Sequence, residues 1–315
     1  MNTDPTIDGV LVQWGERLFY PGNRIVKSRT PRLGPFRSKA DFMRSRIEAT
    51  VRRAPQVMVK VTGGGRGMKA IAAHLRYISK NGRLEIEDDR GVAERGRNAI
   101  KDIERQWRFG GAYIDDVGHR REAFNIMLSM PMGTDLTTLQ KAAREFAKIE
   151  FADHRYIMVL HTHQANPHVH LSVKAESKHG KRLNPRKSDL HRWRETFAER
   201  LREWGVDAEA TRQAVRGAAR NYPDIWRKKA AEEGRERWAR PERKAGDAAS
   251  ASRRSARQAW TIIAGALSTS PNPADQRLAF GIQRFVSGRM PDRPVAEEQK
   301  RSLQQVAPRD IERSR

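Results

Sequence analysis

The sequence predicts an α+β fold, a central antiparallel sheet flanked by helices, with a basic and mostly helical C-terminal extension. Three observations carry this. Val57, Val59 and Val61 alternate along QVMVKVT, and Phe124, Ile126 and Leu128 alternate along REAFNIMLSMP, the period of strands with one buried face. RYIMVLHTH and HVHLSVKA, joined by residues 164–167, have the form of a hairpin. MKAIAAHLRYISKNG, GTDLTTLQKAAREFAKIEF and SDLHRWRETFAERLREWG space their apolar residues for helices that would cover such a sheet.

In chain order, residues 1–37 are polar, turn-rich and basic (RIVKSRTPRLGPFR) and read as an arm. A short helix over 38–53 follows and Pro55 ends it, so 1–54 form a basic N-terminal piece. The α+β domain spans 55–207. Its first strand runs into GGGRG, and the next helix closes at Asn81-Gly82, a sound C-terminal signal. Residues 83–121 are mixed and charged. Thr134 is the expected N-cap of the helix after the second strand. The last helix of the domain starts near Ser188, stops at Gly205, and aligns Leu190, Trp193, Phe197, Leu201 and Trp204 in one stripe, which suits packing better than base stacking. Residues 208–256, rich in Ala, Arg, Lys and Glu, read as a charged helical linker. Residues 257–288 read as a small helical hairpin broken at 268–273, and 289–315 as a disordered basic tail.

Charge narrows the function. Sixty-two Lys and Arg against 38 Asp and Glu leave a formal net charge of +24, with a pI near 11.0. Such a surplus points to a polyanionic partner, nucleic acid ahead of an anionic membrane. No segment approaches the roughly 20 apolar residues of a membrane span, and MNTDPTIDGV has no signal-peptide pattern. The expectation is therefore no membrane insertion and a cytoplasmic location. Absence of cysteine excludes disulfides, cysteine–zinc sites and cysteine nucleophiles.

Four of nine histidines fall within HTHQANPHVH, as two His-x-His pairs. Strand alternation puts His161 and His163 on one face, and likewise His168 and His170. Clustered imidazoles repel when charged and need partners when buried, and a divalent metal removes both problems. The spacing suggests three ligands and an open position, compatible with Mn²⁺, Zn²⁺, Co²⁺, Ni²⁺ or, less tightly, Mg²⁺. A metal in a strongly basic protein points to phosphodiester chemistry. The nucleophile is then metal-bound water, Ser, Thr or Tyr. Among five tyrosines (Tyr20, Tyr77, Tyr113, Tyr156, Tyr222) Tyr77 stands apart, with His74 one turn earlier and Arg76 and Lys80 beside it. Packing of Tyr77 in a core beside Leu75 and Ile78 is the alternative.

HTHQANPHVHLSVK resembles the third motif of conjugative relaxases, members of the histidine-hydrophobe-histidine endonucleases. His168-Val169-His170 is the signature pair, His161 matches the ligand seven residues earlier, and the Asn-Pro also fits. GGGRGMKAIAAHLRYISKNG is similar to the first motif of that family, in which a helix carries the nucleophilic tyrosine, here Tyr77. FNIMLSMPMGTDLTTLQKAAREFA with HRYIMVLHT, and RLNPRKSDLHRWRETFAERLREWGV, resemble the segments on either side of the metal motif. The likeness spans residues 55–210.

The resemblance implies that His161, His168 and His170 hold a divalent ion, Mg²⁺ or Mn²⁺ first and Zn²⁺ as the alternative. It implies that Tyr77 nicks one strand at a plasmid transfer origin through a 5′-phosphotyrosyl intermediate, for conjugation or mobilisation. Single-stranded and supercoiled origin DNA, an accessory DNA-binding protein and a type IV coupling protein are the implied partners, and export with the DNA is implied too. One departure stands out: many relatives carry Asp where this chain has His163, which then acts as a fourth ligand or as a hydrogen-bond partner of one. Arg66, Arg76, Lys80 and Lys174 are candidate DNA contacts, Arg66 together with the backbone amides of the loop 63–67. Acidic help from Glu85, Glu87, Asp88 or Asp89 is set against a plain solvated run. Three rival readings differ in outcome. A rolling-circle initiator usually places its tyrosine after the histidines, a water-using phosphodiesterase forms no adduct, and a non-enzymatic DNA-binding accessory protein needs neither metal nor tyrosine.

Overall fold

The computed structural model describes residues 6–20, 36–164, 166–219, 233–235, 243–244 and 246–290. The chain divides into two compact units, one of Arg53–Ala210 and one of Met1–Arg52 with Thr211–Arg315.

The Arg53–Ala210 unit is built on a six-stranded sheet in the order β1-β4-β6-β5-β2-β3, every neighbouring pair antiparallel. The strands are β1 (Met58–Gly63), β2 (Ile86–Asp88), β3 (Ala93–Glu94), β4 (Ala123–Ser129), β5 (His154–His161) and β6 (His168–Ser177). Four helices flank it: α3 (Met68–Ile78), α4 (Arg97–Phe109), α5 (Leu136–Glu150) and α6 (Lys187–Glu203). The α+β class with a central antiparallel sheet is thus borne out.

Strand β6 sits in the middle and sorts its residues by parity. Val169, Leu171 and Val173 join Ile126 and Leu128 of β4 in a core closed by Leu139, Phe146, Trp193, Phe197 and Leu201 of α5 and α6. Phe146, Phe151, Trp193 and Phe197 meet edge to face, with ring centroids 5.1–6.0 Å apart. Trp193 is therefore core, whereas Trp204 lies half out, capped by Lys141 over its ring and bonded to Glu145. On the opposite face, Ile157 and Val159 of β5 pack under Ile71, Leu75 and Ile78 of α3 and Ile100, Ile103 and Trp107 of α4.

Several expectations change. Residues 83–121 contain α4 and two short strands rather than only a mixed stretch. Only Ala99, Ile100, Ile103 and Trp107 of α4 are buried, so its apolar face is narrow within a charged sequence. The N-cap of α5 is Asp135, whose carboxylate accepts the Thr138 amide at 2.7 Å; the Thr134 hydroxyl instead donates to the Pro131 carbonyl. Residues 208–210 belong to the sheet unit, where the Glu209 carbonyl accepts the Val57 amide and the Glu209 amide donates to the Pro55 carbonyl.

The second unit holds α1 (Ile7–Phe19), α2 (Phe36–Val51), α7 (Asp247–Ser268) and α8 (Pro273–Arg289). The arm expected over 1–37 therefore contains a helix, capped by Thr6. Leu11, Leu18 and Phe19 of α1 bury against Met43 and Ile47 of α2, Trp260 and Ile263 of α7, and Ile282 and Phe285 of α8. Arg44 ties three of these helices by bonding Asp8 and the buried Asp275. The physical reason is sequence separation: beyond α2, the surface that covers α1 is supplied by α7 and α8, more than 200 residues later. The hairpin expected at 257–288 is present as α7 and α8, but α7 starts at Asp247 within the stretch read as linker. Residues 1–5 and 21–35 of the expected arm, 220–232, 236–242 and 245 of that linker, and 291–315 of the expected tail lie outside the described residues. No described helix is long and apolar enough to cross a membrane.

Candidate active site

Ladder register assembles the histidines. His161 is the last residue of β5, His168 the first of β6, and the two are direct cross-strand partners. His170 lies two residues along β6 on the same face, between Met127 of β4 and Val159 of β5. The ring centroids stand 5.1 Å (His161–His168), 4.5 Å (His161–His170) and 4.9 Å (His168–His170) apart. One ligand nitrogen from each lies within 4.8 Å of the others.

Their surroundings suit metal ligation. His168 Nδ1 meets the Asn166 carbonyl at 3.0 Å and His161 Nε2 meets the Ile78 carbonyl at 2.5 Å. A carbonyl only accepts, so each ring donates there and leaves its other nitrogen with a lone pair. Burial pushes the His170 pKa down to about 3, reinforced by His161 and His168, and burial lowers His161 as well. Neutral imidazole is the ligand form, so these three side chains fit a divalent ion. His163 is exposed, with its ring 5.0 Å from that of His161, and falls outside the three-histidine group. The fourth-ligand option is not what this geometry forms.

Helix α3 lies across these rings. Its Ile78 carbonyl is the group bonded to His161, and its His74 ring sits 6.4 Å from His170 and 6.4 Å from Tyr77. Leu75 and Ile78 are buried in the sheet-facing core, but Tyr77 is 73% exposed. Packing therefore does not account for Tyr77. The helix stops through three successive left-handed residues, Lys80, Asn81 and Gly82. A Cβ on Gly82 would stand 2.5 Å from the Gly96 carbonyl carbon, so only glycine fits that close approach. The Asn81-Gly82 signal thus marks the end of the helix.

Four candidate DNA contacts have different fates. Arg66 is exposed, and Arg76 is exposed but paired with Glu104 at 2.9 Å. Lys80 is partly exposed, and its charge helps depress the His161 pKa. Lys174 shares the histidine face, as parity requires, yet is only 3% exposed, and its ammonium donates to the Gly110 carbonyl at 2.8 Å. It is an internal anchor and not a phosphate contact. The glycine loop is also a packed corner rather than a cradle. Gly65, Met68 and Lys69 spend their amides on the carbonyls of Ala123, Asp115 and Asp116. The acidic run lies elsewhere. Glu87 is buried against Arg144 of α5, Asp88 holds Arg90, Asp89 pairs with Lys178 and Glu85 with Arg95.

Sequence reasoning noted His74 without giving it a role. Its Nε2 is buried and has no hydrogen-bond partner, and desolvation pushes its pKa down to about 4. Its spacing of three residues before Tyr77, on a helix, was the available signal.

Residues 77–206 match the relaxase family described as MobA/VirD2-like, nuclease domain. Residues 77–206 thus carry a nuclease domain of the relaxase type. Two curated relatives agree, both named T-DNA border endonuclease VirD2. The one from Rhizobium radiobacter is 26% identical over 184 residues, covering 52% of this chain and 43% of that protein. The one from Agrobacterium fabrum (strain C58 / ATCC 33970) is 24% identical over 182 residues, covering 51% and 41%. The chain thus spans less than half the length of these relatives. A solved structure titled "Molecular Basis of Vancomycin Resistance Transfer in Staphylococcus aureus" aligns with a TM-score of 0.31 at 16% identity, over 50% of this chain and 99% of that one. The relaxase match begins at Tyr77 itself and takes in all three histidines.

Proposed function

We propose that this relaxase nicks one DNA strand by tyrosine transesterification at a plasmid transfer origin, for conjugative transfer or mobilisation. The observation that carries the reading is the seating of α3 on the triad. The helix that bears exposed Tyr77 gives its next residue's carbonyl to His161, and its His74 ring stands 6.4 Å from both Tyr77 and His170, which supports a phenol working with the three imidazoles.

The Tyr77 oxygen bonds to the phosphorus, the bond from phosphorus to the 3′ oxygen breaks, and the phenol proton leaves while the 3′ oxygen takes one up as a hydroxyl. One ester replaces another, so the reverse step rejoins the strand without a nucleotide cofactor. His161, His168 and His170 would hold a divalent ion, which would polarise the phosphoryl oxygens and offset charge developing there. Asn166 and Ile78 orient two of those rings through their carbonyls. Arg66, Arg76 and Lys80 lie at or near the tyrosine helix and supply positive charge toward the DNA backbone. A coupling protein of the secretion channel and an accessory origin-binding protein complete the proposal as partners.

Incubation of the protein with supercoiled origin plasmid and Mg²⁺ or Mn²⁺ tests this directly. The expected product is nicked circle carrying protein that survives denaturing electrophoresis and is removed by protease. Nicked product free of protein would favour a water-using phosphodiesterase. Absence of any nicking beside normal binding would favour the accessory-protein reading.

A further inference from the structure

Beyond the triad, the same sheet face carries an exposed aromatic pair that the core does not use. Trp107 and Ile114 are buried, yet Phe109 and Tyr113 between them are 64% and 56% exposed, with ring centroids 5.7 Å apart at 45°. They flank the Gly110-Gly111 turn that ends α4, and the turn is held from below. Lys174 Nζ donates to the Gly110 carbonyl at 2.8 Å. Gly111 has φ +116°, and a Cβ there would approach that ammonium to 3.2 Å. The Ile114 amide bonds back to the Arg108 carbonyl, and Arg108 pairs with Asp116 and lies 3.5 Å from the Tyr113 hydroxyl.

Lys174 stands on β6 four residues past His170 on the same face, about 13 Å along the strand at roughly 3.3 Å per residue. The pair is bordered by cations. The Arg155 guanidinium packs against Gly110 and forms no ion pair among the described residues, while Arg105 and Arg108 face Asp102 and Asp116. Exposed rings set among arginines on a rigid support are the elements of a single-strand stacking surface, because every base offers a π-face and the arginines follow the phosphates.

We propose that Phe109 and Tyr113 form a stacking platform for unpaired bases of single-stranded DNA, with Lys174 acting from below as its internal prop. The proposal rests on the strand-transfer reading and adds to it a second contact on the strand, away from the tyrosine. Pre-organisation through the buried lysine means that little ordering accompanies binding.

The test uses the full chain, a fluorescein-labelled oligodeoxythymidine of about 20 nucleotides, and single strands carrying 2-aminopurine at successive positions. Phe109→Ala with Tyr113→Ala is expected to weaken anisotropy-measured affinity by about 10- to 100-fold, from the ~1–3 kcal/mol per stacked base that alanine substitution removes. Phe109→Trp with Tyr113→Phe is expected to restore it. In the wild type 2-aminopurine is quenched at one or two adjacent positions, and the alanine pair relieves that quenching. Both rings are exposed, so the melting temperature stays put and foldedness is controlled. Wild-type binding with equal affinity and unchanged quenching in the alanine pair overturns the platform while leaving the nuclease reading intact. A change of mass by light scattering without a change in DNA affinity also overturns it and assigns the pair to a protein contact. If the wild type neither binds the oligonucleotide nor forms the Tyr77 adduct, the DNA reading itself is at fault.

Discussion

Strand β6 shows two environments on alternate residues. Val169, Leu171 and Val173 are sealed under α5 and α6, while His168, His170, Ser172 and Lys174 face the side covered by α3 and α4. The first face is continuous apolar packing. The second is apolar only under the covering helices and becomes polar where His161, His168 and His170 converge. One side of the sheet thus provides the rigidity that the other needs to hold three rings within 5.1 Å of each other. Substitutions on the two faces ought to separate chemistry from stability.

The sharpest break is expected from Tyr77→Phe. Removing one oxygen from an exposed side chain should abolish the covalent adduct, a loss on the order of 10³-fold or more, with melting temperature and DNA affinity unchanged. An adduct persisting on a denaturing gel would assign the nucleophile elsewhere. On the opposite face, Phe197→Ala should cost about 3–5 kcal/mol of stability by leaving a cavity beside Phe146. Urea unfolding measures this, and the specific activity of the remaining folded protein should change little. His168→Ala should eliminate metal-dependent nicking and lower divalent-ion affinity in calorimetry. Unchanged metal affinity would argue against the triad.

A smaller effect concerns pH. His74 and His170 have folded pKa values of about 4 and about 3, against 6.5 when solvated. Between those limits the unfolded chain binds protons that the folded chain refuses. Stability of chelator-treated protein should therefore decline as pH falls from about 6.5 toward 4, by at most about 1.4 kcal/mol per pH unit for each ring. Above pH 7 these groups should contribute no slope. A melting temperature that stays level from pH 7 to 5 would contradict the burial of the two rings. The mildest test is ionic strength, where single-strand affinity should fall with a log–log slope of about −0.7 for each phosphate neutralised. Arg66→Ala should reduce that slope by one contact without altering the adduct at saturating DNA.

The legible parts of this molecule were those with local signals. Alternation of Val57, Val59 and Val61 and of Phe124, Ile126 and Leu128 is written along each strand, and the His168-Val169-His170 pair is compact enough to read directly. The order of strands was not legible, because β1 pairs with β4 and β4 with β6 across long intervals. Helix α1 is not legible because much of its cover comes from the distant α7 and α8. Lys174 is the instructive case. Parity puts it on the correct face, but parity says nothing about what lies above, and the end of α4 that covers it has no local signal in a charged stretch. Glu87 shows the same limit in reverse: it sits beside the tyrosine helix in sequence but packs against α5.

The pairing of His161 directly opposite His168 has a longer reach. The ladder sets the backbone positions of both rings, and of the residues joining them Asn166 touches a ring only through its backbone carbonyl, a contact that does not depend on the side chain there. Sequence drift in the tip can therefore reshape what the rim meets while the ligand cage stays put. A nuclease organised in this way can acquire a new target through its hairpin tip and keep an old reaction.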